Sequence, residues 1–294
     1  LAKLLGMNTL FQYRMIKIMN KLIINAIANH KMDRLLGFEP GKIPTMVEYV
    51  TGNKTYDGIT ILTDECFDDN QLHIIGEVQS TYKLAWMHEP RQLGDWCDRR
   101  YNNLEKNLDA FDRVMTYDEK LLDKYPDKTI FTVDNGIWVS DDQIKIHDKT
   151  KVASLIYSWK QSTEGHRLRH MIAQMNVEGL DLYGNGSNHP IKTKEEGLKD
   201  YQYSITIENS RSKYYYTEKI LDCFAVGTIP IYWGCKNIGD YFDPRGIIQF
   251  EKIEDLVEIF NEISNPETYN LMFPYVKHNF ELVKEYIRYE DWIY

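Results

Sequence analysis

The sequence predicts an α/β protein made of two Rossmann-like, doubly wound domains that face one another across a cleft. Three observations carry that reading. The chain is 294 residues long, and a domain of about 150 residues makes two the natural number. Short apolar runs alternate with amphipathic stretches along most of it, which is the rhythm of parallel strands joined by crossover helices. A polar stretch without apolar periodicity, Asp141–Lys151, interrupts that rhythm near the middle and is the expected boundary. An N-terminal domain over residues 1–150 and a C-terminal domain over 151–294 are therefore expected.

The elements follow in order. Residues 1–40 are expected to form a helical extension, because Leu4, Met7, Phe11, Met15, Ile18, Leu22 and Ile27 recur at three- to five-residue spacing and would share one apolar face. Residues 1–35 carry six basic side chains against Asp33 alone. Such a helix packs on its own domain or a partner chain, or lies on an anionic membrane surface. The chain opens on Leu1 rather than Met, as expected of a sequence lacking part of its natural start. Buried strands are expected at Ile59–Leu62, Leu84–Met87, Arg113–Thr116 and Ile130–Val133, with helices at Arg91–Phe111 and Asp118–Lys124. The second half repeats the pattern: strand Val152–Tyr157, helix Gly165–Met175, strands Leu180–Tyr183 and Tyr203–Ile207, helix Thr217–Val226, strands Ile229–Trp233 and Ile247–Phe250, and helix Ile253–Ile263. The tail Tyr269–Tyr294 reads as helical and aromatic, placed to pack back on the N-terminal domain. Residues 1–83 carry no motif that names a ligand.

Composition excludes several classes. Hydrophobic residues make up 43% and charged residues 27%, enough to bury a core and unlike a disordered or collagenous chain. With 35 basic against 44 acidic residues the net charge is −9, which disfavours a nucleic-acid partner. No window reaches the ~18 apolar residues of a membrane span; the longest approach is Leu22–Ala28. Cys66, Cys97, Cys223 and Cys235 show no C-x-x-C pair, so neither a zinc ribbon nor a redox pair is supported. His166 and His170 stand four apart without the glutamate of a zinc protease. Tyrosine is unusually frequent, at 21 residues.

The informative segment runs from Tyr203 to Gly234. A strand ends at Ile207, a polar loop follows with Glu208, Asn209 and Ser210, and Thr217 is placed to cap a helix that Gly227 ends. In doubly wound domains ligands bind at the carboxyl ends of the strands. The first-turn N–H groups of this helix favour an anion such as a phosphate, and Lys219 adds a full positive charge. Glu218 can accept hydrogen bonds from two neighbouring hydroxyls, as on a ribose. Asn209 and the Tyr215 phenol complete a set suited to a nucleotide sugar. A Thr-Glu pair also opens ordinary helices and Lys219 also fits a solvated face, so spacing alone leaves both readings open.

Glu208-Asn-Ser210, Tyr215-Tyr-Thr-Glu-Lys219 and Gly227-Thr-Ile-Pro-Ile-Tyr-Trp-Gly234 together resemble the donor-binding signature of the α-1,3/4-fucosyltransferase family, F-E-N-S, Y-V-T-E-K and a helix followed by T-I-P-I-Y-W-G. Tyr216 departs from the usual Val or Ile, on a position expected to be partly buried. The resemblance implies an inverting glycosyltransferase of GT-B fold that moves fucose from GDP-fucose to a hydroxyl of a glycan acceptor. It implies substrate contacts from Glu208, Asn209, Ser210, Tyr215, Thr217, Glu218 and Lys219. Ala85-Trp-Met-His-Glu-Pro90 resembles the family's acceptor-domain motif with one residue missing before the proline; it makes Glu89 the counterpart of the general base, with His88 beside it in the binding set. Arg167, in His166-Arg-Leu-Arg-His170, resembles the arginine that contacts the diphosphate, and Arg169 is the other register. Arg167 and Lys219 would then neutralise the leaving diphosphate. There is no Asp-x-Asp pair, so a divalent metal is expected to be stimulatory at most and no cofactor obligatory. Two other functions share the pattern: the same fold with a different nucleotide sugar, and a non-catalytic nucleotide- or carbohydrate-binding module.

Overall fold

A strand covered on both faces reads as a near-continuous apolar run, and such strands belong to parallel sheets flanked by helices. In a computed structural model of the chain, which describes residues 21–27, 46–132 and 136–288, these runs form two all-parallel sheets. The first contains β1 (Leu22–Ile27), β2 (Val47–Thr51), β3 (Thr55–Thr63), β4 (Gln79–Trp86), β5 (Arg113–Thr116) and β6 (Thr129–Phe131), in the spatial order β2-β1-β3-β4-β5-β6. Its helices are α1 (His73–Glu77), α2 (Asp95–Lys106) and α3 (Glu119–Lys124). The second sheet follows with β7 (Lys151–Ile156), helix α4 (Glu164–Gln174), β8 (Leu180–Tyr183), β9 (Tyr201–Ile207), helix α5 (Glu218–Val226), β10 (Ile229–Trp233) and β11 (Ile248–Gln249), in the order β11-β10-β9-β7-β8. Helices α6 (Asp255–Ile263) and α7 (Pro266–Val283) complete the chain, with a short 3-10 turn at Lys284–Tyr286.

Both sheets reverse their winding direction once, between β1 and β3 and between β7 and β9. At such a switch point the connections leave to opposite faces, and a crevice opens at the strand ends. Side-chain alternation fixes what lies on each face. Leu84 and Trp86 of β4 face a core shared with Ile24, Ile61, Phe224 and Phe242, whereas Ala85 and Met87 pack under Cys97, Tyr101 and Leu104 of α2. On the second sheet Ala153, Leu155, Ile205 and Ile231 pack with Leu256, Ile263 and Val276 of the last two helices.

The extension expected over residues 1–40 lies largely outside the described residues. Where it is described, at Leu22–Ile27, it is a strand and not a helix. Leu-Ile-Ile-Asn-Ala-Ile is rich in β-branched side chains, and neighbours on both sides, β2 and β3, supply its ladder. Strand β2 has no counterpart in the sequence reading, because Val-Glu-Tyr-Val-Thr is short and only weakly alternating. The single helix expected over Arg91–Phe111 is broken at Gly94, with 3-10 turns on either side of α2. The four cysteines are free and buried. No helix among the described residues is long and apolar enough to cross a membrane. In the C-terminal segment, α7 packs on α5, the Tyr286 carbonyl accepts the Ile137 N–H at 3.2 Å, and Arg288 pairs with Asp141 at 2.9 Å.

Candidate active site

Glu89 lies three residues past the end of β4. Beyond that end the backbone is held by side chains: the Tyr117 hydroxyl donates to the His88 carbonyl at 2.6 Å, and the Tyr101 hydroxyl donates to the Glu89 carbonyl at 3.0 Å. The His88 ring lies on Trp86 with 4.4 Å between centroids. Pro90 and Arg91 are buried directly behind, and the guanidinium bonds Asp118 and Glu105 at 2.9 Å each. The Glu89 side chain itself is exposed. The next two residues, Pro90 and Arg91, line a cavity of about 240 Å³ with Tyr117, Asp118 and, from the other half of the chain, Ser212.

The second half builds its site at the switch point between β7 and β9. Thr163 caps α4, accepting the His166 N–H at 3.1 Å, while His166 Nδ1 accepts the Thr163 N–H at 3.2 Å. Burial, with Arg169 and nearby lysines adding, pushes His166 down to about 4, so its ring is neutral at pH 7. Gly165 lies against the Glu208 backbone, where any Cβ would collide with the Glu208 carbonyl. That close approach brings the start of α4 onto the end of β9. Arg169, one turn along and buried, donates through Nε to the Ile207 carbonyl at 3.1 Å and through Nη2 to Asn209 Oδ1 at 3.1 Å. Arg167 is exposed and turns the other way, its Nη1 donating to the carbonyls of Gln161 and Ser162 at 3.3 and 3.2 Å.

Around the start of α5 the ionic groups interlock. Glu208 is fully buried, with Oε1 accepting the Thr217 N–H at 2.9 Å and Oε2 the Thr217 hydroxyl at 2.7 Å. Gly234 keeps room for it, since a Cβ there would meet the Glu208 side chain and the Tyr232 hydroxyl. Lys219 Nζ lies 2.9 Å from Thr217 Oγ1, 3.1 Å from Glu218 Oε1 and 3.5 Å from Glu208 Oε2. Burial works against charge on Lys219, but Glu218 and Glu208 outweigh it and its pKa lies above the ordinary value. Burial likewise pushes Glu218 up, and Lys219 and Lys194 more than offset it, leaving the carboxylate below its usual range. Glu208 is raised, chiefly by burial. The buried Ser210 hydroxyl has no hydrogen-bond partner among the described residues.

Of the residues expected from sequence, the structure brings Glu208, Asn209, Thr217, Glu218, Lys219 and Arg169 into one cluster. Arg167 is not part of it. Tyr215 is buried, its ring 5.0 Å from Tyr117 of the first half. Tyr216 is 1% exposed rather than partly buried, because Tyr241, Phe242 and Tyr286 enclose it. The two halves meet at this loop: Phe131 packs on Tyr214 and Tyr241, and Lys213 pairs with Glu119 at 3.0 Å. Glu89 faces the cluster electrostatically. Burial raises its pKa, opposed by His88 and then by Lys219 and Lys160, both from the second half. Its side chain is thus solvent-accessible yet ringed by protein, as at the bottom of a cleft. Tyr117, Tyr101 and Lys160 were not anticipated; Tyr117 and Lys160 lie just past strand runs, and Tyr101 sits inside α2 with nothing in its spacing to mark it. Among the described residues no three His, Cys, Asp or Glu side chains converge as a metal-binding group.

Residues 146–292, half of the chain, match the C-terminal domain of glycosyltransferase family 10 (fucosyltransferase). An α-(1,3)-fucosyltransferase, FucT, of Helicobacter pylori is 31% identical over 93 residues, 32% of this chain and 20% of that protein. An α-(1,4)-fucosyltransferase of Arabidopsis thaliana is 31% identical over 62 residues, 21% of this chain and 16% of the relative. The matched segments thus span a fifth or less of these curated relatives. The fold is similar to crystal structures of an α1,3-fucosyltransferase with GDP-fucose (TM-score 0.55, 15% identity, 91% of this chain and 90% of that one) and with GDP (TM-score 0.57, 15% identity, 92% of each). The two parallel sheets are those of a GT-B fold.

Proposed function

Because this chain belongs to glycosyltransferase family 10, the fucosyltransferases, we propose that it transfers fucose from GDP-fucose to a hydroxyl of a glycan acceptor with inversion at the anomeric carbon. The observation that carries the reading is an accessible carboxylate, Glu89, in the electrostatic field of Lys219, a lysine held in place at the start of α5 by Glu208 and Glu218. In this reading the acceptor is held by residues up to about 150 and the donor by residues 151–294. Glu89 takes the proton of the acceptor hydroxyl, the oxygen attacks the anomeric carbon, and the bond to the diphosphate breaks. A base whose pKa is raised toward the working pH is better matched to that transfer. Charge that grows on the departing GDP meets Lys219, the N–H groups opening α5, and an arginine from α4. Arg169 is the better placed of the two candidates, since it already sits on Asn209, whereas Arg167 would have to swing in from the 161–162 carbonyls. Glu218 is assigned to the ribose hydroxyls, and Asn209 and Ser210, with its unpaired hydroxyl, to polar contacts with the donor. Glu208 and Thr217 hold the helix start in place, and Tyr215 and His88 shape the cleft on either side.

The reading is tested by thermal unfolding with GDP, UDP, CDP and GDP-fucose, since a ligand that binds only the folded state raises Tm. GDP and GDP-fucose are expected to stabilise and the pyrimidine nucleotides not to. Stabilisation by UDP alone overturns the fucosyl donor in favour of another nucleotide sugar. No stabilisation by any of them leaves a module without donor binding.

A further inference from the structure

The backbone that carries Glu89 is held by a carboxyl group to which the proposed chemistry gives no part. Ladder pairing between β3 and β4 ends at Thr63 and Trp86. Just beyond, Asp64 takes over: both of its side-chain oxygens accept the His88 N–H, at 3.1 and 3.0 Å. Asp64 is 1% exposed, and a carboxyl group so far from water is costly to keep. With the Tyr117 and Tyr101 hydroxyls on the next two carbonyls, the His88–Glu89 backbone is fixed from three sides. The Glu89 side chain alone is left free to reach into the cleft.

We propose that Asp64 is a positioning residue for the transfer: by holding the His88 N–H, it sets the backbone from which the Glu89 carboxylate meets the acceptor hydroxyl. The inference rests on Glu89 being the base. It also makes the two carboxyl groups a coupled pair. His88 and Glu89 from the end of β4, Cys66 beside Asp64, and Cys97, Arg100 and Tyr101 from α2 all face Asp64. Glu89 is faced by Asp64, His88, Cys97, Arg100, Lys160 and Lys219. Burial pushes Asp64 up to about 7, with His88 opposing and Glu89 adding to the rise. Two like charges near one another make the second ionisation harder, so Glu89 ionises first and its charge helps Asp64 keep its proton.

The test is GDP release from GDP-fucose, in water alone and with N-acetyllactosamine, by Asp64→Asn, Asp64→Ala and Glu89→Gln across pH. Asp64→Ala removes the acceptor of the His88 N–H and is expected to lower kcat ~10- to 100-fold, with the KM for GDP-fucose within about twofold, the signature of a lost transition-state alignment. Asp64→Asn keeps an acceptor. It is expected to hold kcat within about tenfold and to leave the acidic limb of the rate profile, set by Glu89, in place, because Asp64 is already protonated there. A kcat that falls well beyond tenfold in Asp64→Asn, which keeps the acceptor, overturns the proposal, even if Asp64→Ala does not fold. So does a loss of kcat accompanied by an equal loss of GDP affinity, which marks a merely structural residue. An inactive Glu89→Gln beside wild-type Asp64 variants defeats this inference alone. A fully active Glu89→Gln, or a wild-type chain that releases no GDP, defeats the base assignment and this inference together.

Discussion

The two strand ends that face each other are built on opposite plans. At the end of β4 the backbone is fixed and the side chain is open: Glu89 is exposed while its own carbonyl and that of His88 are both hydrogen-bonded. At the end of β9 the side chains are locked: Glu208, Glu218 and Lys219 are bound to one another and to Thr217. The difference follows from what each must do in the proposed reaction. A base exchanges a proton with every substrate and needs access. A cation that steadies a leaving group exchanges nothing and gains most from being held before the reaction begins. A buried ammonium also needs compensation when no donor is present, and two carboxylates provide it here.

This contrast can be broken at either end. The largest effect is expected at the open end. Glu89→Gln should lower kcat by ~10²–10⁴, the range for a lost positioned base, with GDP affinity by calorimetry unchanged; turnover at the wild-type rate would remove Glu89 from the mechanism. At the locked end Lys219→Ala should lower kcat by ~10²–10³ and weaken GDP binding as well. GDP binding indifferent to that change would show that the lysine only balances its two glutamates.

The smallest effect sharpens the comparison. Asp222 lies one turn beyond Glu218 and is likewise buried, but among the described residues it forms no ion pair. Its Oδ1 accepts the N–H groups of Trp138 and Val139 at 2.7 and 3.1 Å, and Oδ2 has no partner among the described residues. Burial, opposed by Lys194 and reinforced by Glu218, pushes its pKa from 3.8 to about 7. Between those values the unfolded chain is ionised while the folded chain keeps the proton, so stability falls as pH rises through this window. Asp222→Asn should therefore gain little at pH 4 and raise Tm by a few degrees above pH 7. An equal Tm difference at both pH values would show that the group does not titrate on unfolding.

Much of the fold was legible because its signals are local. Arg113–Thr116, Leu180–Tyr183 and Ile229–Trp233 are strands with the bounds their apolar runs suggest, and Thr217 and Gly227 cap α5 as their residue types require. Leu22–Ile27 was misread because its apolar residues also fit a helical spacing; only the flanking strands decide the matter. The site split along the same line. Glu208 to Lys219 is one contiguous loop and helix start, so its residues could be gathered from the sequence. Asp64, Tyr101 and Tyr117 come from three separate connections, and nothing in their spacing says that they converge on residues 88 and 89. The excess of tyrosine acquires a use in part: Tyr216, Tyr241 and Tyr286 build one aromatic cluster, which accommodates the bulky residue at position 216.

The sequence by itself determined the element rhythm, the two sheets and the motif at the start of α5, since strand period, caps and a polar loop are read within a few neighbouring residues. Only the tertiary structure decided which arginine reaches the cluster, that Lys219 is compensated by two glutamates, and that Glu89 lies in their field. Those are properties of distance and burial between segments far apart in the chain, and in a parallel sheet every neighbouring strand is brought there by a crossover whose length hides the contact.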